Sequence, residues 1–367
     1  MKRRSFLKVM GGVAGAAALG IKPALVSEAE AAAAKTGEMH KRVLGRTGFK
    51  VSVVGFSGLG LTHYDQERCT ADVHKAFERG LNYYDVAPAY GKDGDCEIKM
   101  GVALQGLDRS RYFLACKSKK RDKDGCREEL ERSLHRLKTD YFDVYQMHHL
   151  VKPEDVKTSL YPGALEAMQP PAPVPSAMPS LYPGALEAML QAKKEGKIRA
   201  IGFSAHTTKA ALAALRGFAF DTVMFPVNYV EYYTRGFAKD VLALAKEKGA
   251  AVLSIKTMHS GAWPKDAERT RKWWYRPLEQ QDDINLAYRW TLSLPGVVMG
   301  FPPGWMDLQE KAIGAGIAYR PATEADAKKL EEMAKGCGSI FKREEDLVAC
   351  HSPYPHNPHE CCEGEWA

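Results

Sequence analysis

Tyr112-Phe113-Leu114-Ala115-Cys116-Lys117 and Asp143-Val144-Tyr145-Gln146-Met147-His148 are two short apolar runs, and residues 127–137 between them have helical period. Leu130, Leu134 and Leu137 recur at three- and four-residue spacing among charged side chains, giving that helix one apolar face to lay on a sheet. Similar runs occur at 51–56, 83–87, 199–204, 222–228, 251–257 and 296–300, with helix-period segments such as 237–248 between them. Eight strands that each lead into a helical stretch predict an α/β chain folded as a (β/α)8 TIM barrel. Residues 42–51 read as two further short strands around the Thr47-Gly48 turn, an N-terminal β-hairpin. An open doubly wound sheet is the competing architecture and would carry Gly-x-Gly-x-x-Gly after its first strand. The stretch Gly55-Phe56-Ser57-Gly58-Leu59-Gly60-Leu61-Thr62-His63 lacks the third glycine, which favours the barrel.

The barrel, placed at 41–320, leaves two ends of different character. Lys2-Arg3-Arg4-Ser5-Phe6-Leu7-Lys8 precedes a Gly/Ala-rich apolar run and an Ala-rich close at 31–34. A charged head, a short apolar stretch and small residues describe a secretory signal. The arginine pair followed by Ser-Phe-Leu-Lys resembles a twin-arginine (Tat) export signal, so residues 1–34 are expected to be a leader, the export machinery a partner, and the periplasm the destination. The run is too short for a stable membrane span. The leader holds +3 of the net charge of +7, and the remaining +4 is too mild to indicate nucleic acid. At the other end, residues 321–367 read as a helix and a tail containing Cys350, His351, His356, His359, Cys361 and Cys362. Disulfides among Cys337, Cys350, Cys361 and Cys362 are the favoured reading in an oxidising compartment, ahead of a metal or iron–sulfur site, and no metal ligand is assigned. Within the barrel, residues 159–168 recur letter for letter as 180–189 across a proline-rich spacer. The second copy runs into a helical stretch, so 159–179 is expected to be an insertion in the loop after the fourth barrel strand.

Four polar side chains fall at or just beyond predicted strand ends, where barrels collect catalytic groups: Asp85, Tyr90, Lys117 and His148. A phenol with its ordinary pKa near 10 is a weak proton donor at neutrality, and a neighbouring ammonium lowers that value. Lys117 would supply the ammonium to Tyr90, Asp85 would hold Lys117 charged, and His148 would orient a carbonyl oxygen. His149, next along the strand, is expected to point to the other side. Trp273-Trp274-Tyr275 follows the seventh strand and belongs near the barrel mouth, as pocket lining or as loop packing.

Asp85-Val86-Ala87-Pro88-Ala89-Tyr90-Gly91, the strand-end Lys117 and Thr139-Asp140-Tyr141-x-Asp143-x-x-x-x-His148 resemble the aldo-keto reductase family, and residues 196–204 add a further match in family order. The resemblance implies an NAD(P)H-dependent oxidoreductase that reduces an aldehyde or ketone by hydride transfer, with Tyr90 as general acid. It also implies NADP or NAD as cofactor, with Ser204 and Asn228 holding the nicotinamide amide and Met224, Ile255 and Lys256 at further cofactor positions. Ala205, Met224 and Ile255 replace the residues usual there, and Leu308, Lys311 and Ala312 replace a frequent Gln-x-x-Glu-Asn after the eighth strand. These departures keep a second class in view, a barrel acting as an exported binding or regulatory module. An exported redox partner using a tail metal is a third.

Overall fold

The structure, a computed structural model, describes residues 37–160 and 184–341. The expected leader, most of the repeat insertion and the Cys/His tail from residue 342 lie outside the described residues. Strands β1 (Lys41–Val43) and β2 (Lys50–Ser52) form an antiparallel hairpin. Eight strands then follow: β3 (Phe56–Ser57), β4 (Tyr83–Asp85), β5 (Phe113–Ser118), β6 (Phe142–Leu150), β7 (Ile198–Ala205), β8 (Thr222–Pro226), β9 (Ala251–Ile255) and β10 (Val297–Gly300). They pair in sequence order, every pair parallel. The sheet closes on itself: Gly55 N donates to Gly300 O (3.1 Å), and Gly300 N donates to Val53 O (3.0 Å). Closure leaves no open edge strand and places every strand's C-terminal end at one mouth.

The order follows from burial. Strands covered on both faces need near-continuous apolar runs, and β5 to β9 are buried along almost their whole length. Tyr83, Ala115, Val144, Ala200, Met224 and Leu253 fill the interior. Outside lie α1 (Gln66–Glu78), α2 (Asp95–Ala103), α3 (Lys123–Leu137), α4 (Pro153–Leu160), α5 (Ala185–Lys194), α6 (Thr208–Gly217), α7 (Tyr229–Arg235), α8 (Lys239–Lys248), α9 (Gln281–Leu292) and α10 (Met306–Ile317); α11 (Glu324–Ala334) follows the last strand–helix unit. Side-chain caps set several starts: Asp122 accepts from Gly125 N at α3, and Thr207 from Ala210 N at α6. Leu130, Leu134 and Leu137 of α3 are buried as their spacing requires. The second repeat copy leads into α5, while the first copy enters the described residues only as Ser159 and Leu160 at the end of α4.

The first predicted strand needs correction. Residues 51 and 52 pair with β1, and the barrel strand proper is β3, reached after Val53–Gly55 have bonded across to Gly300. The hairpin is a plug at the strands' N-terminal ends. Phe49 stacks on Phe113 at the start of β5, and Leu44 and Val51 join the interior cluster.

Candidate active site

Asp85 ends β4 and Lys117 lies near the end of β5, so neighbouring strands carry them side by side. Lys117 is fully buried, and its Nζ donates to Asp85 Oδ2, to Tyr90 Oη (3.0 Å) and to Val86 O (3.2 Å). All three protons of the ammonium are therefore used. Gln146 Nε2, one strand further on, donates to Asp85 Oδ1 at 3.2 Å and fixes the second carboxylate oxygen. Tyr90 is partly exposed, on a turn whose amide bonds back to Ala87 O. Because its oxygen accepts from Lys117, its own proton remains available to donate. The His148 ring stands edge-on to it, centroids 5.7 Å apart, with Nδ1 buried and unpartnered among the described residues. The structure thus brings the four sequence-chosen side chains to one point at the mouth.

Charge at this point is governed by burial. Desolvation works to lower the Lys117 pKa, but attraction to Asp85 and Tyr90 outweighs it, so the ammonium is held above the ordinary lysine value. Burial raises Asp85, opposed by Lys117 and Gln146; with the ammonium raised as well, the pair's proton stays on nitrogen. Burial also pushes the Tyr90 phenol up to about 12, and the pull of Lys117 downward is the smaller effect. The expectation of a net lowered phenol pKa is corrected here: Lys117 offsets part of the burial rather than all of it. Burial, then Lys117 and His149, hold the His148 imidazole well below its usual value, so it is neutral.

An open cavity of about 860 Å³, counted to its mouth, lies over Asp85, Tyr90 and His148. Ser204, Met224, Ile255 and Lys256 line it, as do Trp273, Trp274 and Tyr275. Ser204 Oγ accepts from His149 N at 2.7 Å, which leaves its hydroxyl proton for a ligand. Asn228 is placed elsewhere: it caps α7, its Oδ1 accepting from Glu231 N (3.0 Å), and it does not line the cavity. An asparagine three residues before a glutamate is a helix-start signal, and that reading would have found it. His149 also departs from expectation. Its φ is +61° and the β6–β7 register shifts beyond Met147, so strict alternation fails and both histidines face the cavity. Gln146 and Lys119 were not singled out from sequence. Lys119, two residues past Lys117, lines the same cavity, as the two-residue period of a strand would have indicated.

The nicotinamide half of a dinucleotide fits these residues, since Ser204 offers a donor beside the apolar Met224 and Ile255. Around the start of α10, Arg271 pairs with Asp307 and Glu279, and Lys311 donates to Glu279 O. Among the described residues no group of acidic, histidine or cysteine side chains could hold a metal, and no helix is long and apolar enough to cross a membrane.

Known proteins place this geometry. The family model described as the aldo/keto reductase family matches residues 53–338. L-galactose dehydrogenase of Arabidopsis thaliana is 31% identical over 239 residues, covering 61% of this chain and 67% of that one. Methylglyoxal reductase DkgB of Escherichia coli O157:H7 is 25% identical over 211 residues, 57% of this chain and 68% of that protein. Two solved structures share the fold. The holo form of aldo-keto reductase AKR11C1 from Bacillus halodurans has a TM-score of 0.61 at 21% identity and covers 83% of this chain and all of its own. An aldo-keto reductase from Klebsiella pneumoniae in complex with NADPH has a TM-score of 0.56 at 20% identity, covering 80% of this chain and 95% of its own. With a strand-end tetrad at the mouth of a closed parallel barrel and a family match across that whole barrel, the chain belongs to the aldo/keto reductase family.

Proposed function

We propose that this chain reduces an aldehyde or ketone with a reduced nicotinamide cofactor, NADPH or NADH, and that Tyr90 is the general acid. The observation that carries the reading is the 3.0 Å contact from Lys117 Nζ to Tyr90 Oη, made by an ammonium that Asp85 keeps charged. The cofactor, when bound, supplies hydride to the carbonyl carbon. Tyr90 Oη hands its proton to the carbonyl oxygen as negative charge grows there, and the ammonium stabilises the phenolate left behind. His148, neutral and lining the cavity beside Tyr90, orients that oxygen. Ser204, Met224, Ile255 and Lys256 form the wall against which the nicotinamide is held. NADPH bound by the Klebsiella pneumoniae relative and the oxidoreductase names of the other relatives support the cofactor class.

Steady turnover of a carbonyl panel by the purified chain tests this. Tyr90→Phe is expected to lower kcat by about 100- to 10,000-fold while nucleotide binding persists. Undiminished turnover by that variant would overturn Tyr90 as the acid, and nucleotide binding without turnover of any carbonyl in the native chain would point instead to a binding module. We also propose that the protein is exported by the twin-arginine route, on the strength of Arg3-Arg4-Ser5-Phe6-Leu7-Lys8. Fractionation of cells producing the full chain should find it outside the cytoplasm, and retention inside would contradict this.

A further inference from the structure

Glu231 is a carboxylate that the proposed reduction does not use. It lies in the first turn of α7, fully buried, and it is not among the residues that line the cavity. A buried carboxylate is costly unless its oxygens find donors. Two donors reach it from 109 and 108 residues further along the chain: Ile340 N to Oε1 (2.8 Å) and Ser339 Oγ to Oε2 (2.7 Å). Ser339 Oγ in turn accepts from Phe341 N (3.2 Å), and the buried Phe341 ring stacks on Phe237, centroids 5.1 Å apart. Burial raises the Glu231 pKa, and the Ser339 and Ile340 donors work against that rise.

The segment that Glu231 clasps also packs on the base of the loop carrying the cavity's aromatic wall. That loop follows β9 and folds back on itself. Leu278 N donates to Met258 O (2.7 Å), Ser260 N to Arg276 O (2.9 Å) and Arg276 N to Gly261 O (2.9 Å). Trp273, Trp274 and Tyr275, just before the returning side of this base, line the cavity, and Trp263 Nε1 donates to Trp273 O (2.8 Å). Ala262 N donates to Gly338 O (2.9 Å). A Cβ added at Gly261 would lie 3.1 Å from Cys337 Cβ, so loop base and C-terminal segment meet without a gap. The helix start joins the same contact, since His259 Nδ1 lies 3.3 Å from Oδ1 of Asn228, the α7 cap. The tetrad is held separately, by β4 to β6 and the turn at Tyr90.

We infer that Glu231 is a positioning residue for substrate: by anchoring residues 337–341 against the loop base, it holds the Trp273–Tyr275 wall in place against the flat apolar body of an aromatic aldehyde or ketone. The wall suits such a body. Trp273 and Trp274 stack at 4.0 Å between centroids, and Tyr275 stands edge-on to Trp274 at 5.3 Å. The inference rests on the reductase reading and adds to it the residue that shapes the substrate wall.

The experiment uses the full chain at saturating nucleotide, as native protein, Glu231→Ala and Glu231→Gln, with 2-naphthaldehyde and propanal as substrates. Glu231→Ala deprives the Ile340 amide and the Ser339 hydroxyl of this acceptor, so kcat/KM for 2-naphthaldehyde should fall about tenfold further than for propanal, through KM rather than kcat. Glu231→Gln, which keeps an acceptor for the Ile340 amide, should recover part of the loss. Hydrogen exchange of the amides in 258–278 should quicken about tenfold or more in Glu231→Ala, while exchange in β5 and β6 should not. Ser339→Ala, which removes one donor from the other side of the clasp, should act in the same direction and decides the matter if Glu231→Ala does not fold. Equal losses on both aldehydes, or unchanged exchange in the loop, would overturn the inference. So would a change confined to the nucleotide KM, which would assign the clasp to the cofactor. If the native chain reduces neither aldehyde, quenching of tryptophan fluorescence by 2-naphthaldehyde decides. Binding that Glu231→Ala weakens would keep the positioning role while the reductase reading fails, and equal binding by both proteins would overturn the inference.

Discussion

Tyr90 keeps its proton because burial lifts the phenol to about 12 while Lys117 works against that rise. The consequence for reduction is a donor that is fully protonated across the ordinary pH range. His148, held well below its usual value, has already lost its proton in the same range. Neither group changes state between about pH 6.5 and 9, so kcat/KM for carbonyl reduction should be flat there and fall only as pH climbs toward the phenol's value. A pH–rate profile with an inflection near 6.5 would show that His148 titrates as an ordinary histidine and that its surroundings are wetter than the structure has them. At this scale the sequence was informative where chemistry and strand period agreed, as for Asp85, Lys117 and His148. It did not show that Asn228 has a local use as a helix cap, and it misled at His149, where one left-handed residue reverses the direction that alternation assigns.

Each barrel strand has a structural end and a chemical end, and β6 shows both. His148 and His149 occupy its C-terminal end. Asp143, at its start, is fully buried and accepts from Arg109 Nη2 (2.8 Å), Arg199 Nη1 (2.7 Å) and Leu114 N (2.9 Å). That carboxylate ties the starts of β5, β6 and β7 together at the end away from the cavity. Replacing it strands a guanidinium on each side and a buried amide. Asp143→Ala should therefore cost about 1–3 kcal/mol of stability, chiefly through the buried Leu114 amide, read by chemical denaturation, with kcat/KM of the folded fraction little changed. A variant as stable as the native protein would show that the two arginines find other partners. The strands were legible as a set because burial on both faces demands unbroken apolar runs. Their limits were less so: the stretch at 51–56 is shared between hairpin and barrel, a division that depends on which distant residue bonds Val53 and Gly55, and Gly300 lies too far along the chain for local pattern to show it.

The whole molecule is a closed parallel barrel with its floor plugged by the hairpin and its mouth framed by Tyr90, the two histidines and the Trp273–Tyr275 loop. Length and strand count made this architecture readable, because eight strand–helix units can close where fewer would remain open. The proposed leader, residues 161–183 of the repeat region and the tail from residue 342 fall outside the described residues, and export is a proposal that rests on residues 2–8. What unites the account is a single coupling between an ammonium and a phenol at the barrel mouth. A double-mutant cycle on kcat/KM for a reduced carbonyl, using Lys117→Met, Tyr90→Phe and the two combined, measures it directly. The account expects each single change to cost about 100-fold or more and the double change to cost little beyond the larger of them, since one proton donor is lost either way. Losses that multiply would contradict it, showing that Lys117 and Tyr90 act apart.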